Sequence, residues 1–180
     1  MPPSMPLDFA WLGQGPALDL ANTFVPAQQA DLLGQWSESR QKELSLTELR
    51  DLRATVTSVL EALAQGAQPP EEAIEKLNVI SAEAPLHTTL RDGRLEVHEP
   101  FAGAVARAVF ALAAGHETVA TCRAPGCGMF FVRAHPRQVW CCHGCGNRAR
   151  VARHYARAKA EKERVDAVER PNGPITEGGR

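Results

Sequence analysis

No hydrophobic run in this 180-residue chain is long enough to cross a bilayer, and none of its five cysteines precedes residue 122. The most apolar stretch, Phe101 to Gly115, is short and carries Arg107, whereas a membrane-spanning helix needs about 20 apolar residues. Met1 to Ala10 has neither the basic nor the apolar segment of a secretory signal. Internal repeats and low-complexity tracts are lacking, as are a P-loop, a Gly-rich dinucleotide motif and a Ser/His/Asp set. His116 and Glu117 are adjacent, and Cys122 and Cys127 are separated by four residues, so the H-x-E…P-C-x-x-C pattern of zinc deaminases is absent too. These absences predict a cytoplasmic protein without a membrane partner and without catalytic residues, hence no enzyme. What is present, 44% hydrophobic and 23% charged residues, is ordinary for a folded globular chain and excludes a disordered or collagen-like one.

A large net charge is lacking as well, at −1, but the sum hides an asymmetry. Residues 1–121 carry 8 Lys/Arg against 16 Asp/Glu, a balance of −8. Residues 122–164 carry 10 against 2, a balance of +8. An acidic body joined to a basic module implies different partners for the two parts. A first part of this length can bury a core of its own. A module near 45 residues needs a metal or disulfides.

Hydrophobic spacing predicts a mostly helical first part. Helices are expected over Pro16–Thr23, from Asp31 as N-cap through Leu32, Leu33 and Trp36, and over Ser45–Gln65 with Thr47 as cap. Further helices are expected over Pro70–Ala82, with Ile74, Leu77, Val79 and Ile80 as its apolar face, and over Phe101–Ala114, stopped by Gly115. Between the last two, Leu86–Leu90, the turn Asp92-Gly93 and Arg94–His98 read as a β-hairpin. Met1–Pro6 and the Gly/Pro-containing Arg170–Arg180 read as loose ends.

All five cysteines fall within 24 residues: Cys122-x4-Cys127, then Cys141, Cys142 and Cys145. An odd, clustered set in a reducing compartment argues for metal rather than disulfides. Two close pairs separated by a short arm suit one tetrahedral zinc ion, with Cys122, Cys127, Cys141 and Cys145 as ligands. Glycines on both sides of Cys127 and Cys145 let the backbone fold round the ion. Cys142 in place of Cys141, and more weakly His143, are alternatives for the third position. Four thiolates leave no open coordination site, so the ion is structural. Met129–Arg133 and Gln138–Cys141 read as two strands joined at His135-Pro136. Knuckle, hairpin and following helix give a treble-clef order.

Arg148 to Arg164 reads as a helix capped by Asn147. Arg150, Arg153 and Arg157 share one face, and Arg148, His154 and Lys159 widen it. Ala149, Val151, Ala152, Tyr155 and Ala156 are expected to pack on the zinc module. A metal-anchored helix with Arg148, Arg150, Arg153, Arg157 and Lys159 is suited to nucleic-acid phosphates. The alternative is a zinc-stabilised protein-interaction module, its arginines paired with acidic groups, without direct nucleic-acid binding. In the first part, Asp19, Asn22 and Thr23 are polar residues in an apolar segment, and Arg53 interrupts an apolar helix. With Trp36 as a wall they are candidates for a small-ligand site, Arg53 pairing with Asp19 or gripping an anion. Capping and an internal salt bridge are the competing reading.

The run Cys122-Arg-Ala-Pro-Gly-Cys127-Gly, then Phe130-Phe131, Trp140-Cys141 and Cys145-Gly146-Asn147-Arg148, resembles the CGNR zinc finger. Upstream, Ala17-Leu-Asp-Leu-Ala-Asn-Thr23 resembles the L-D-x-x-N-T motif of the ABATE domain, and Leu52-Arg53 is similar to a Leu-Arg pair there. The second cysteine pair is spaced by three residues where many members have four. The resemblance implies a bacterial, stress-responsive transcription regulator. It also implies an N-terminal sensor of a small ligand or partner, a C-terminal treble clef that binds DNA, and zinc on Cys122, Cys127, Cys141 and Cys145. The expected architecture is α+β: a helical domain with a small hairpin over 7–118, a zinc finger ending in a basic helix over 119–165, and a flexible tail over 166–180.

Overall fold

The computed structural model describes residues 13–40, 43–115 and 117–168. Met1–Pro6, His116 and Arg170–Arg180, for which expectations were stated, lie outside the described residues. Six helices and three two-stranded antiparallel sheets are present among those described. No described helix is long and apolar enough to cross a membrane.

The chain enters through α1 (Pro16–Ala21), which starts on a proline whose missing N–H costs nothing at that position. It stops two residues short of the expected end. Asn22 and Thr23 are turned to other work: the Thr23 hydroxyl donates to the Leu20 carbonyl at 2.7 Å. Two short strands that sequence periodicity does not show follow, β1 (Phe24–Val25) and β2 (Ala30–Asp31), joined by a 3₁₀ turn over Pro26–Gln28. Next come α2 (Leu33–Arg40) and α3 (Leu46–Ala64). Asp31 accepts from the Leu33 N–H at 3.1 Å, the expected capping role. The cap of α3 is Ser45, not Thr47. Its hydroxyl takes the Glu48 N–H while the Glu48 carboxylate takes the Ser45 N–H, a reciprocal capping box that Thr47 cannot form inside the helix.

The i, i+3/i+4 stripe of α3 (Leu49, Leu52, Val56, Val59 and Leu60) is fully buried. It faces α1, α2, α5 and α4 (Glu71–Glu83). On α4, Leu77 is buried and Ile74 and Ile80 are half-buried, but Val79 projects to solvent because it lies off their stripe. Helix α5 (Phe101–Ala113) packs on α1, α3 and α4. Its Gly103 meets α4's end so closely that a Cβ would fall on the Ala84 carbonyl oxygen. The hairpin β3 (His87–Arg91) and β4 (Arg94–His98) turns at Asp92 and Gly93, both with positive φ, as a tight hairpin turn requires. Its alternation is as expected, but its apolar face is uncovered: Leu90 is 76% and Leu95 68% exposed.

The last sheet pairs β5 (Val119–Thr121) with β6 (Phe130–Val132). This corrects the expected finger hairpin. β6 pairs backward with β5, and Gln138–Cys141 forms no strand, touching the knuckle through an Arg123 N–H to Val139 carbonyl bond of 3.2 Å. Successive residues of a strand face opposite ways, and here both faces are buried. Val119 and Phe130 join the core of the helical body, while Ala120 and Phe131 join a second core with Cys122, Cys127 and Cys145. Helix α6 (His143–Val168) begins five residues before Arg148 and continues three residues into the segment expected as tail. Ala149 is buried and Ala152 half-buried, but every residue from Arg153 to Val165 is exposed. Val151, Tyr155 and Ala156, expected to pack on the zinc module, do not, because the helix has left the body by that point.

Candidate metal centre and the adjoining cleft

β5 delivers Cys122 at its end, and the Cys122 N–H donates to the Met129 carbonyl at 2.8 Å, closing a knuckle. Inside it the Cys127 N–H donates to the Ala124 carbonyl at 3.1 Å. Gly126 and Gly128, with φ of 73° and 82°, supply the left-handed backbone that the turn needs. Cys141 arrives on the far arm, and Cys145 stands in the first turn of α6. Gly146 has another use: its missing Cβ leaves room for the Trp140 ring, which a side chain would meet at 3.2 Å.

The Sγ atoms of Cys122, Cys127, Cys141 and Cys145 all lie within 4.8 Å of one another. The Cys127–Cys141 and Cys141–Cys145 separations are 3.8 and 3.5 Å. Tetrahedral zinc at about 2.3 Å from each sulfur demands sulfur–sulfur spacings of about 3.8 Å, so the donor set fits the ion in number, chemistry and size. Cys142 and His143 are outside this group, which assigns the third position to Cys141. Crowding and burial drive the proton affinities of Cys127, Cys141 and Cys145 apart. Cys127 is lowered to about 5, chiefly by the hydrogen bond it receives from Cys141, and Cys141 is raised far above the usual thiol range by the same bond. Burial, with the neighbouring Cys127 and Cys122 charges, pushes Cys145 up to about 12. A dication removes this conflict by holding all four as thiolates. The N-terminus of α6 contributes favourable dipole charge beside them. Four protein ligands close the coordination shell, so the zinc is structural.

Arg148 ties helix to knuckle, donating through Nη1 to the Pro125 and Gly126 carbonyls, both at 3.2 Å. Asn147 is no N-cap, since α6 starts at His143 to place Cys145; its side chain instead accepts from Arg150. Arg153 donates to the Ala149 carbonyl of its own helix at 3.3 Å, and Lys159 stands 3.8 Å from Glu163. Arg150, Arg153, Arg157 and Lys159 are all exposed.

The candidate ligand residues of the body are dispersed. Asp19 accepts from the Gly13 and Gln14 N–H groups at 2.6 and 3.1 Å, a capping use. Asn22, buried, pairs with Phe130 as a strand would: its Nδ2 donates to the carbonyl and its Oδ1 accepts from the N–H, both at 2.9 Å. Trp36 is no pocket wall but core, its ring 5.6 Å from that of Phe101. Arg53 pairs with Asp31, not Asp19. Nη1 and Nη2 grip the two carboxylate oxygens at 2.7 and 2.9 Å, and Nη1 also donates to Thr23 Oγ1 at 2.9 Å. That bidentate bond holds the Asp31 carboxyl down at about 2. Asn22 and Arg53 do meet along one cleft of about 730 Å³, where α3 adjoins β1 and the β5–β6 sheet. Sequence reading missed its other walls: Phe24, Arg50, Glu61 and Phe130. Only Arg50 left a signal, standing three residues before Arg53 on the same helix.

A four-cysteine centre, three of its ligands buried and Cys141 half-buried, built from a knuckle and a helix start, defines a zinc-finger protein. The CGNR zinc finger model matches residues 119–158. The ABATE model, described as "Putative stress-induced transcription regulator", matches residues 14–121, more than half of the chain. The chain therefore belongs to the ABATE family and carries a CGNR zinc finger. No curated protein matches it.

Proposed function

We propose that this protein regulates transcription by binding DNA through its zinc-held basic helix, and that its helical body senses a small ligand. One observation supports the DNA reading above the rest. Helix α6, 26 residues and about 39 Å long at about 1.5 Å per residue, is anchored as far as Ala152 and exposed from Arg153 to Val165, with Arg150, Arg153 and Arg157 exposed on one face. Guanidinium groups so displayed suit phosphate contacts and the guanine edge in a major groove. Arg148, committed to the knuckle, contributes by position more than by contact. The family description supports the regulatory role, and a closed zinc shell suits a protein that binds rather than transforms. The cleft beside α3 is the place for the sensed ligand. A reducing cytoplasm suits the thiolate centre.

Fluorescence anisotropy with duplex DNA tests this. If about four phosphates are engaged, affinity falls by about two decades between about 50 and 200 mM salt. The joint replacement of Arg150, Arg153 and Arg157 by Ala abolishes that salt-sensitive binding. Unchanged binding removes α6 from the mechanism.

A second reading is favoured by one feature of the body. The groove between α3 and α4, of about 1150 Å³, has Val79, Ile80 and Leu52 among its apolar walls and Glu48, Asp51, Glu71, Glu72, Glu75 and Glu83 around them. A basic helix complements such a surface, which suits a protein-interaction module. Failure to retain any duplex or RNA at low salt selects that reading.

A further inference from the structure

The cleft beside α3 has a polarity that defines what it takes, and it shares a segment with the zinc centre. Its volume of about 730 Å³ is in the range of small-molecule sites. Phe24, Pro26 and Phe130 give it apolar walls. Arg50 and Arg53 stand toward one end of α3, Glu61 stands two to three turns further along it, and Gln65 is its C-cap. The bonds to Thr23 and Asp31 occupy three of the five N–H groups of Arg53, leaving two for a ligand. Arg50 is exposed, with no hydrogen bond or close ion pair among the described residues, and its charge adds to that of Arg53 on the Asp31 side of the cleft.

The segment from Phe24 to Leu32 borders both sites. On one side it offers Phe24 and Pro26 to the cleft, and Asp31 to Arg53. On the other, Val25 is buried with Cys122, Cys127 and Cys145, and Ala30 and Leu32 pack against the same cluster. Pro26 lies on the knuckle itself, its Cγ 3.4 Å from where a Cβ on Gly128 would stand. A group bound at the free N–H groups of Arg53 sits beside the Asp31 carboxylate that the same guanidinium holds, and Asp31 is the end of the strand pair that backs the knuckle.

We infer that this cleft is an effector site for a small oxyanion, a carboxylate or phosphate on a flat apolar body, gripped by Arg50 and Arg53, and that its occupancy is felt at the zinc knuckle through Phe24–Leu32. This names the ligand class for the sensing role proposed above and rests on that reading. Two arginines one turn apart on α3 set the charge of the ligand, and the aromatic and proline walls set its body. Coupling follows from contact: the same nine-residue segment, Phe24 to Leu32, cannot shift for one site without moving its buried side chains in the other. By linkage, zinc loss weakens the anion by the factor by which the anion retains zinc.

The test uses the full zinc-loaded chain, with benzoate and phenyl phosphate as probes and benzylamine and inorganic phosphate as controls, followed by calorimetry. Saturable binding of benzoate or phenyl phosphate is expected, the stronger of the two naming the headgroup, with neither control binding. Arg50→Ala, a change at an exposed position, weakens it by about tenfold or more, the loss expected for a charged hydrogen bond. Arg91→Gln on the hairpin leaves it unaltered. Chelator-driven zinc release, read with a metallochromic dye, changes rate when the cleft is saturated. Failure of both anions to saturate at millimolar concentration, or equal binding by Arg50→Ala, overturns the site. An unchanged release rate at saturation overturns the coupling. Duplex binding measured in parallel separates the two proposals: DNA bound without the anion sinks only the effector, and anion bound without DNA sinks only the DNA reading.

Discussion

The two cores of this molecule are built on different terms. The body encloses Leu18, Leu20, Leu49, Val56, Leu60, Leu77 and Val105, all essentially free of solvent, between helices of which α2 and α3 are capped by neighbouring side chains, Asp31 and the Ser45–Glu48 pair. The zinc module encloses Cys122, Cys127 and Cys145 with a few small or aromatic residues, and it takes Val25, Ala30 and Leu32 from the segment after α1. Aliphatic burial alone carries the first, at about 1.5–3 kcal/mol for each large side chain. The second has too little such surface, so a metal and borrowed residues complete it. The comparison teaches that the finger is a dependent of the body as well as of zinc: its sheet is buried on both faces, and its β6 is held by Asn22, 108 residues upstream.

That contrast can be broken most severely at the metal. Cys141→Ser removes a ligand whose site contributes on the order of 10–16 kcal/mol when zinc is bound. Metal analysis is expected to show loss of stoichiometric zinc, and proteolysis to show α6 released while the body stays folded. Cys142→Ser keeps one zinc per chain. Next in size is Asn22→Ala. It leaves the Phe130 N–H and carbonyl without partners in the interior, a loss of about 2–4 kcal/mol, read as a fall in denaturation midpoint with α-helical content retained.

Val25→Ala sharpens the dependence further. It deletes two buried methyls from the finger's core at about 1–2 kcal/mol, and its signature is faster zinc release although Val25 lies far from any ligand in sequence. The smallest effect belongs to Asp31. Its pKa is held at about 2, below the ordinary 3.8, by Arg53, so its stabilising contribution is complete above pH 4 and is lost as pH falls toward 2. Because the carboxylate is partly exposed, solvent screening limits that contribution to about 1 kcal/mol. Asp31→Asn keeps the cap on Leu33, and the gap between the two proteins' thermal midpoints is expected to close over that pH interval. A gap that persists at low pH locates the effect elsewhere.

Burial on the hairpin shows where pattern and placement part. Leu90, Leu95 and Val97 alternate with polar residues as a half-buried hairpin demands, yet no described element of the chain covers them. Likewise α6 has the arginine row that its sequence displays, but its Val151 and Tyr155 stand exposed rather than on the zinc module.

By itself the sequence determined the periodic helices α3, α4 and α5, the turn at Asp92-Gly93 and the four-cysteine spacing, because each is a local pattern over a few turns or a tight loop. Packing across the chain settled that Cys141 and not Cys142 joins the sulfur cluster, that Arg53 holds Asp31 rather than Asp19, and that β6 pairs with β5. Strands of two or three residues carry no readable period. A guanidinium finds whichever carboxylate the packing brings within about 3 Å. Which side of a shared sheet a residue enters depends on the two cores it separates, and those exist only once the chain has folded.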